Sequence, residues 1–208
     1  MTDEEMGIVA KYGDRGAAVR VVQRLLHLKV DGIFGPLTEE AVKEFQRANA
    51  LTADGIVGRK TWPRLLGLVL LPSKRLITEL IIHCTATPSG RDVTVEEIRS
   101  WHLARGFSDI GYHYVIYLDG SIHEGRDVNI AGAHCAGHNT HSIGICYVGG
   151  LTKDGAAADT RTPAQEEAML SLLRLLKDKY PYASIHGHRD YANKACPCFD
   201  ATKEYCNL

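Results

Sequence analysis

The chain has 208 residues, of which 45% are hydrophobic and 24% charged, the proportions of a folded globular protein and not of a disordered one. Its 24 basic and 25 acidic side chains leave a formal net charge of -1, so nothing in the overall balance attracts nucleic acid or an anionic membrane. No apolar run approaches the roughly 18 residues needed to span a bilayer, and the acidic start MTDEEM lacks the basic flank of an export signal, so neither membrane insertion nor self-export is expected.

From the N-terminus, Val19, Val22 and Leu26 form an apolar stripe on a helix that begins near Asp14 to Ala17. Two related segments follow, DGIFGPLT at Asp31 to Thr38 and DGIVGRKT at Asp54 to Thr61. Each reads as a turn and a helix start: Asp-Gly and the second glycine permit positive φ, and Thr38 or Thr61 is placed to cap the helix. Ala41, Val42 and Phe45 after the first, and Trp62, Leu65 and Leu66 after the second, supply apolar faces. Residues 1–70 are thus expected to be a three-helix module, joined by the Pro72-Ser73 stretch to a second domain over 76–208.

The second domain alternates strand and helix signals. Glu79 to Cys84 reads as a strand, and Thr94 to Glu97 as a capping box opening a helix with Ile98 and Trp101 on one face. Tyr112 to Leu118, the turn Asp119-Gly120 and Ser121 to Glu124 form a hairpin. Ser142 to Val148 is a buried strand, Thr162-Pro163-Ala164-Gln165 opens a helix carrying Met169, Leu172, Leu173 and Leu176, and Ala183 to His186 is the last strand. The pattern predicts an α/β domain with a mixed central sheet flanked by helices.

Nine of the ten histidines lie in this domain. His83 and His188 fall at strand ends, where loops gather into clefts, and Cys196 follows on a loop. Two imidazoles and a thiolate suit a zinc ion that keeps a position for water. On the residues alone they read equally as ordinary polar groups, with Cys196 or Cys198 paired to Cys206. His134 and Asn139 stand on a glycine-rich loop suited to substrate contact; His186 reads as a structural or supporting histidine, Trp101 as core and Cys146 as a small buried hydrophobe.

The segments IIHCTAT, WHLARGFSDIGYHYVIYLDGSIHEGR, GAHCAGHNTHSIGICYVGG, TPAQ and HGHRDYANKACPCFD together resemble the zinc-dependent N-acetylmuramoyl-L-alanine amidases of phage endolysins and the related peptidoglycan-recognition proteins. GDRGAAVRVVQRLL with the repeat after it resembles the small three-helix peptidoglycan-binding module of wall hydrolases. The resemblance implies Zn²⁺ held by His83, His188 and Cys196, with Tyr112 and Lys194 as catalytic groups. It implies cleavage of the amide between N-acetylmuramic acid and L-alanine of peptidoglycan, by a monomer made in the cytoplasm and released to the wall as a phage-type lysin. The alternatives are a non-catalytic peptidoglycan-binding protein, a cytoplasmic amidase acting on soluble muropeptides, and a disulfide-stapled domain without metal.

Overall fold

The computed structural model describes residues 9–68 and 73–208. The chain divides into two compact units, Met1–Leu70 with Leu170–Asp178, and Leu71–Met169 with Lys179–Leu208.

In the first unit, α1 (Ala17–Leu25), α2 (Pro36–Ala48) and α3 (Thr61–Leu65) enclose a core of Val19, Val22, Phe34, Val42, Val57 and Trp62. The Asp-Gly turns take positive φ at Gly32 (72°) and Gly55 (77°), as the turn chemistry requires. The second glycine of the first repeat does not: Gly35 is extended at φ -94° and leads into Pro36 at the start of α2. Thr38 and Thr61 are not caps either. Neither α2 nor α3 has a side-chain cap, and both threonines are buried partners of two buried glutamines.

Gln23 Nε2 donates to Asp31 Oδ1 (2.8 Å), the Ile33 carbonyl (3.1 Å) and Thr38 Oγ1 (3.2 Å), while its Oε1 accepts from Gly32 N (2.8 Å). Gln46 repeats the arrangement with Asp54, Ile56, Thr61 and Gly55 at 2.8, 2.9, 3.1 and 2.9 Å. The sequence repeat is therefore a repeat of one polar knot, a glutamine of the preceding helix tying each Asp-Gly turn to the helix after it.

The chain continues through β1 (Glu79–Cys84), β2 (Thr87–Pro88), α4 (Val95–Ala104), β3 (Tyr114–Ile116), β4 (Ile122–Glu124), β5 (Ser142–Tyr147), β6 (Gly150–Leu151), α5 (Pro163–Lys179), whose stretch Leu170–Asp178 counts with the first unit, β7 (Ser184–Gly187) and α6 (Ala201–Glu204). Five strands form a sheet in the order β4-β3-β5-β1-β7, parallel except for the β3–β4 hairpin, and β2 pairs with β6 in a second, two-stranded sheet. This is the expected mixed sheet flanked by helices. β1 lies between β5 and β7, and Leu80, Ile81 and Ile82 are fully buried, which explains why this strand reads as an unbroken apolar run instead of an alternating one.

Both expected helix starts carry caps. Thr94 accepts from Glu97 N (3.2 Å). Thr162 Oγ1 accepts from Gln165 N (3.1 Å) while Gln165 Oε1 accepts from Thr162 N (3.0 Å), and Gln165 Nε2 also donates to the Val148 (2.9 Å) and Ile116 (3.2 Å) carbonyls, tying the helix start to the ends of β5 and β3. The connecting stretch falls partly outside the described residues. From Ser73 onward it is pinned down: Ser73 Oγ donates to the Val128 carbonyl (2.8 Å), and Arg75 donates to the carbonyls of Val128, Asn139, Thr140 and Ser142.

Gln46→Met keeps the side-chain volume but leaves the buried Gly55 N without its acceptor and unties Asp54, Ile56 and Thr61 from α2. A buried group so stranded costs about 1–3 kcal/mol. The urea midpoint of unfolding is expected to fall accordingly; an unchanged midpoint would show the knot to be incidental.

Candidate active site

The parallel register builds the site. Ile82 of β1 stands opposite Gly187 of β7, so the next residues, His83 and His188, emerge side by side at the carboxyl end of the sheet. In open α/β sheets this is the end where ligands bind. Their rings lie 4.6 Å apart between centroids. The loop after His188 returns Cys196, whose Sγ is 3.9 Å from His83 Nδ1 and accepts from Cys84 N at 3.3 Å. Donor atoms of His83, His188 and Cys196 all lie within 4.8 Å of one another, a set that could hold a metal ion. Two imidazole nitrogens and a sulfur match the preferences of a borderline-soft divalent ion.

Hydrogen bonding assigns the His83 tautomer. Ser142 Oγ donates to the His138 carbonyl (2.7 Å), so its lone pair faces His134 Nε2 at 3.3 Å. His134 then carries its proton on Nε2 and accepts on Nδ1, which lies 3.0 Å from His83 Nε2. His83 therefore donates from Nε2 and turns the lone pair of Nδ1 towards Cys196. Burial, reinforced by His134, holds the pKa of His83 well below the usual histidine value, so the ring is neutral. Burial, then His113, does the same to His134.

Two glycines make room for this chain. A Cβ at Gly144 would lie 2.5 Å from His134 Cδ2, and one at Gly132 would also collide with that ring.

Tyr112 stands just before β3 with its ring 5.1 Å from that of His83. Burial, then the nearby thiols of Cys146 and Cys196, push its hydroxyl pKa well up, so it remains a proton donor at neutral pH. Lys194 is exposed on the loop between His188 and Cys196. Its charge adds to burial in lowering the pKa of His188.

His134 and Asn139, expected on a loop suited to substrate contact, stand between β4 and β5. His134 is buried behind His83. Asn139 Oδ1 accepts from His134 N (2.9 Å) and Cys135 N (3.0 Å), so it shapes the loop that presents His134. Cys198 Sγ turns away, donating to the Gly150 carbonyl (3.1 Å) and lying 3.8 Å from Cys84 Sγ; burial, with Cys84 beside it, pushes its pKa up to about 12. All six cysteines are unpaired, and Cys206 is exposed. His186 bonds Ser184 Oγ (2.9 Å) and lies edge-on to Tyr191, a structural placement. Trp101 packs on the core beneath Arg91, and Cys146 is buried in β5.

The family model of N-acetylmuramoyl-L-alanine amidases matches residues 73–199, and that of a peptidoglycan binding domain matches residues 15–65. The chain belongs to the N-acetylmuramoyl-L-alanine amidase family. It is a peptidoglycan hydrolase, and its bond is the amide that joins the muramic acid to L-alanine. The endolysin of Klebsiella phage KP32 is 45% identical over 123 residues, covering 59% of this chain and 82% of that protein. Among solved structures, the endolysin amidase LysCS of Clostridium intestinale is similar with a TM-score of 0.54 and 31% identity, over 64% of this chain and 82% of that one. Drosophila PGRP-LB is similar with the same TM-score of 0.54 and 26% identity, over 70% and 91%.

His113, behind this amidase site, gives a test of its electrostatics. The ring is fully buried; Nδ1 accepts from Gly144 N (2.9 Å), which leaves Nε2 to donate to the Ile130 carbonyl (3.1 Å). Burial is the main cause that lowers its pKa to about 4. The unfolded chain takes up this proton near pH 6.5 while the folded one does not, so stability is full above about 6.5 and declines as pH falls towards about 4. A loss of roughly 3 kcal/mol is expected over that window from this group. Unfolding free energies measured by urea titration at several pH values should show the decline, and His113→Gln should make it shallower by this group's share, the remainder coming from the other buried histidines whose pKa burial lowers.

Proposed function

We propose that His83, His188 and Cys196 hold a catalytic zinc ion, and that Tyr112 and Lys194 act beside it on the amide linking N-acetylmuramic acid to L-alanine. The observation that carries this is the convergence of three zinc-type donor atoms at the carboxyl end of the sheet, with a hydrogen-bond chain that leaves the His83 lone pair facing the other two. Zinc bound there supplies Lewis acidity that makes water a nucleophile near neutral pH and polarises the scissile carbonyl.

The protein's own groups do the rest. His134 orients His83 and keeps it in the ligating tautomer, the kind of support whose loss typically weakens metal binding roughly 10–100-fold. Tyr112, held protonated, donates a hydrogen bond to the oxygen on which negative charge develops. Lys194 places a positive charge at the mouth of the same site. His134, whose ring nitrogens face His83 and Ser142, serves as a positioning residue, and Asn139 shapes its loop through Oδ1 while its Nδ2 is left to meet substrate.

Residues 1–70 are read as the wall-binding module and 76–208 as the catalytic domain; the family match at 15–65 supports the first and the match at 73–199 the second. With relatives such as the endolysin of Klebsiella phage KP32, the natural setting is lysis, the enzyme acting on the wall after synthesis in the cytoplasm. None of the described helices is long and apolar enough to cross a membrane.

His83→Ala, His188→Ala and Cys196→Ser should each lose the zinc of this site and nearly all activity, whereas Cys198→Ser should keep both. Zinc retained in Cys196→Ser but lost in Cys198→Ser would overturn the assignment. Lys194→Ala and Tyr112→Phe should lower kcat by roughly 10²–10³ with zinc content and KM little changed, since one oxyanion-stabilising donor is typically worth that much. Digested peptidoglycan should show new N-terminal L-alanine and no new reducing sugar ends; new reducing ends would mean glycosidase chemistry.

A further inference from the structure

A second cluster of imidazole and carboxylate donors lies among the described residues. Glu79, His138 and His141 bring their ligand atoms within 4.8 Å of one another. Glu79 Oε2 is 2.9 Å from His138 Nδ1 and 3.0 Å from His141 Nε2. Donors bound to one ion at about 2.0–2.2 Å stand about 3–3.5 Å from each other, close to the two Glu79–histidine separations, and all three donors lie within 4.8 Å.

The outer atoms of the cluster are held as well. Tyr191 donates its hydroxyl to Glu79 Oε1 (2.7 Å) and lays its ring over that of His138 at 3.8 Å. His141 Nδ1 is 3.2 Å from Thr140 Oγ1, which can accept its proton once Nε2 is a ligand. Such partners fix the ring orientation and tautomer that ligation needs. All three ligand residues are half-buried, so an ion and its remaining waters have access.

The place is distinct from the catalytic centre. Glu79 opens β1 four residues before His83, about 13 Å away at the rise of a strand. His138 and His141 end the loop whose earlier residue His134 supports His83.

We propose that Glu79, His138 and His141 form a second metal site, for a divalent transition-metal ion such as Zn²⁺, Co²⁺ or Ni²⁺, and that the bound ion clamps the 131–141 loop to the start of β1. Two imidazoles and one carboxylate are the donors such ions prefer, and no thiolate takes part.

Cobalt distinguishes the two sites by colour, because only the centre with Cys196 gives the intense near-ultraviolet sulfur-to-metal band. The metal-free, full-length protein is titrated with Co²⁺, following bound ion by equilibrium dialysis and the absorption spectrum together. Two ions per chain are expected, the sulfur band saturating after one and weak visible bands growing with the other. Glu79→Gln/His141→Ala should bind one ion and keep the sulfur band, which also reports an intact fold; Cys196→Ser should bind one ion and lack the band. If the double variant does not fold, His141→Gln alone is used, and it must weaken the second ion about tenfold or more. A wild-type protein that takes up one ion only, accompanied by the full sulfur band, or a second ion unaffected by these substitutions, overturns the proposal. Because Cys196→Ser isolates the second site, its outcome does not depend on the reading of the first.

Discussion

A histidine with none of its surface exposed, at the end of a strand buried on both faces, is the constraint around which this enzyme is organised. Such a ring is tolerated only if it is neutral and both nitrogens have partners. His83 meets the first condition through burial itself and the second through His134 on one side and the sulfur of Cys196 on the other. Because Ser142 is committed to the His138 carbonyl, each proton along the chain has one place to go, and the lone pair that remains points out of the protein's interior into the site. The direction of a single hydroxyl proton thus decides which face of a distant imidazole is available for ligation.

That arrangement draws on residues with no chemistry of their own. Gly132 and Gly144 are vacant volumes into which the His134 ring fits. Asn139 closes the loop on its own backbone, so that residues a few positions apart face different targets: His134 meets His83, while His138 and His141 meet Glu79. The N-terminal unit solves a related problem with less material. Its helices are short, and a module of this size buries too little apolar surface to hold irregular turns by packing alone. Gln23 and Gln46 tie the turns down with directional bonds that grow stronger in a buried setting.

What the sequence displayed was what has a local signature. Apolar runs marked β1 and β5, Asp-Gly marked the hairpin turn and the module turns, and threonine followed three residues later by glutamate or glutamine marked α4 and α5. His83, His188 and Cys196 were assigned as one ligand set through resemblance, since His83 lies more than a hundred residues before the other two and leaves no spacing to read. Other features depend on contacts made across the fold. Thr38 and Thr61 looked like caps because a threonine near a helix start usually is one; a glutamine fifteen residues earlier had taken the hydroxyl instead. His134 and Asn139 were visible as polar groups on a glycine-rich loop, but that His134 turns inward to meet His83 depends on the strands beneath the loop. Glu79 is legible only as the first residue of a strand, and its two histidine partners come from a loop about sixty residues later.

The thiols show the same dependence of chemistry on position. Three cysteines crowd the end of β1, and type alone does not distinguish them as ligands. Cys84 is buried, shares a contact with Cys196, and has its pKa raised for that reason first and by desolvation second, so it stays a neutral thiol. Cys198 is likewise kept protonated, and its sulfur is spent on the Gly150 carbonyl. Cys196 is the sulfur that lies among the imidazoles, aimed there by the amide of Cys84, the residue directly after His83. One strand end therefore orients two of the three proposed ligands, His83 through its side chain and Cys196 through the next backbone N–H. A displacement of β1 relative to its neighbours would move both together, which makes the parallel register of β1 with β5 and β7, more than any single loop, the element that holds the centre in shape.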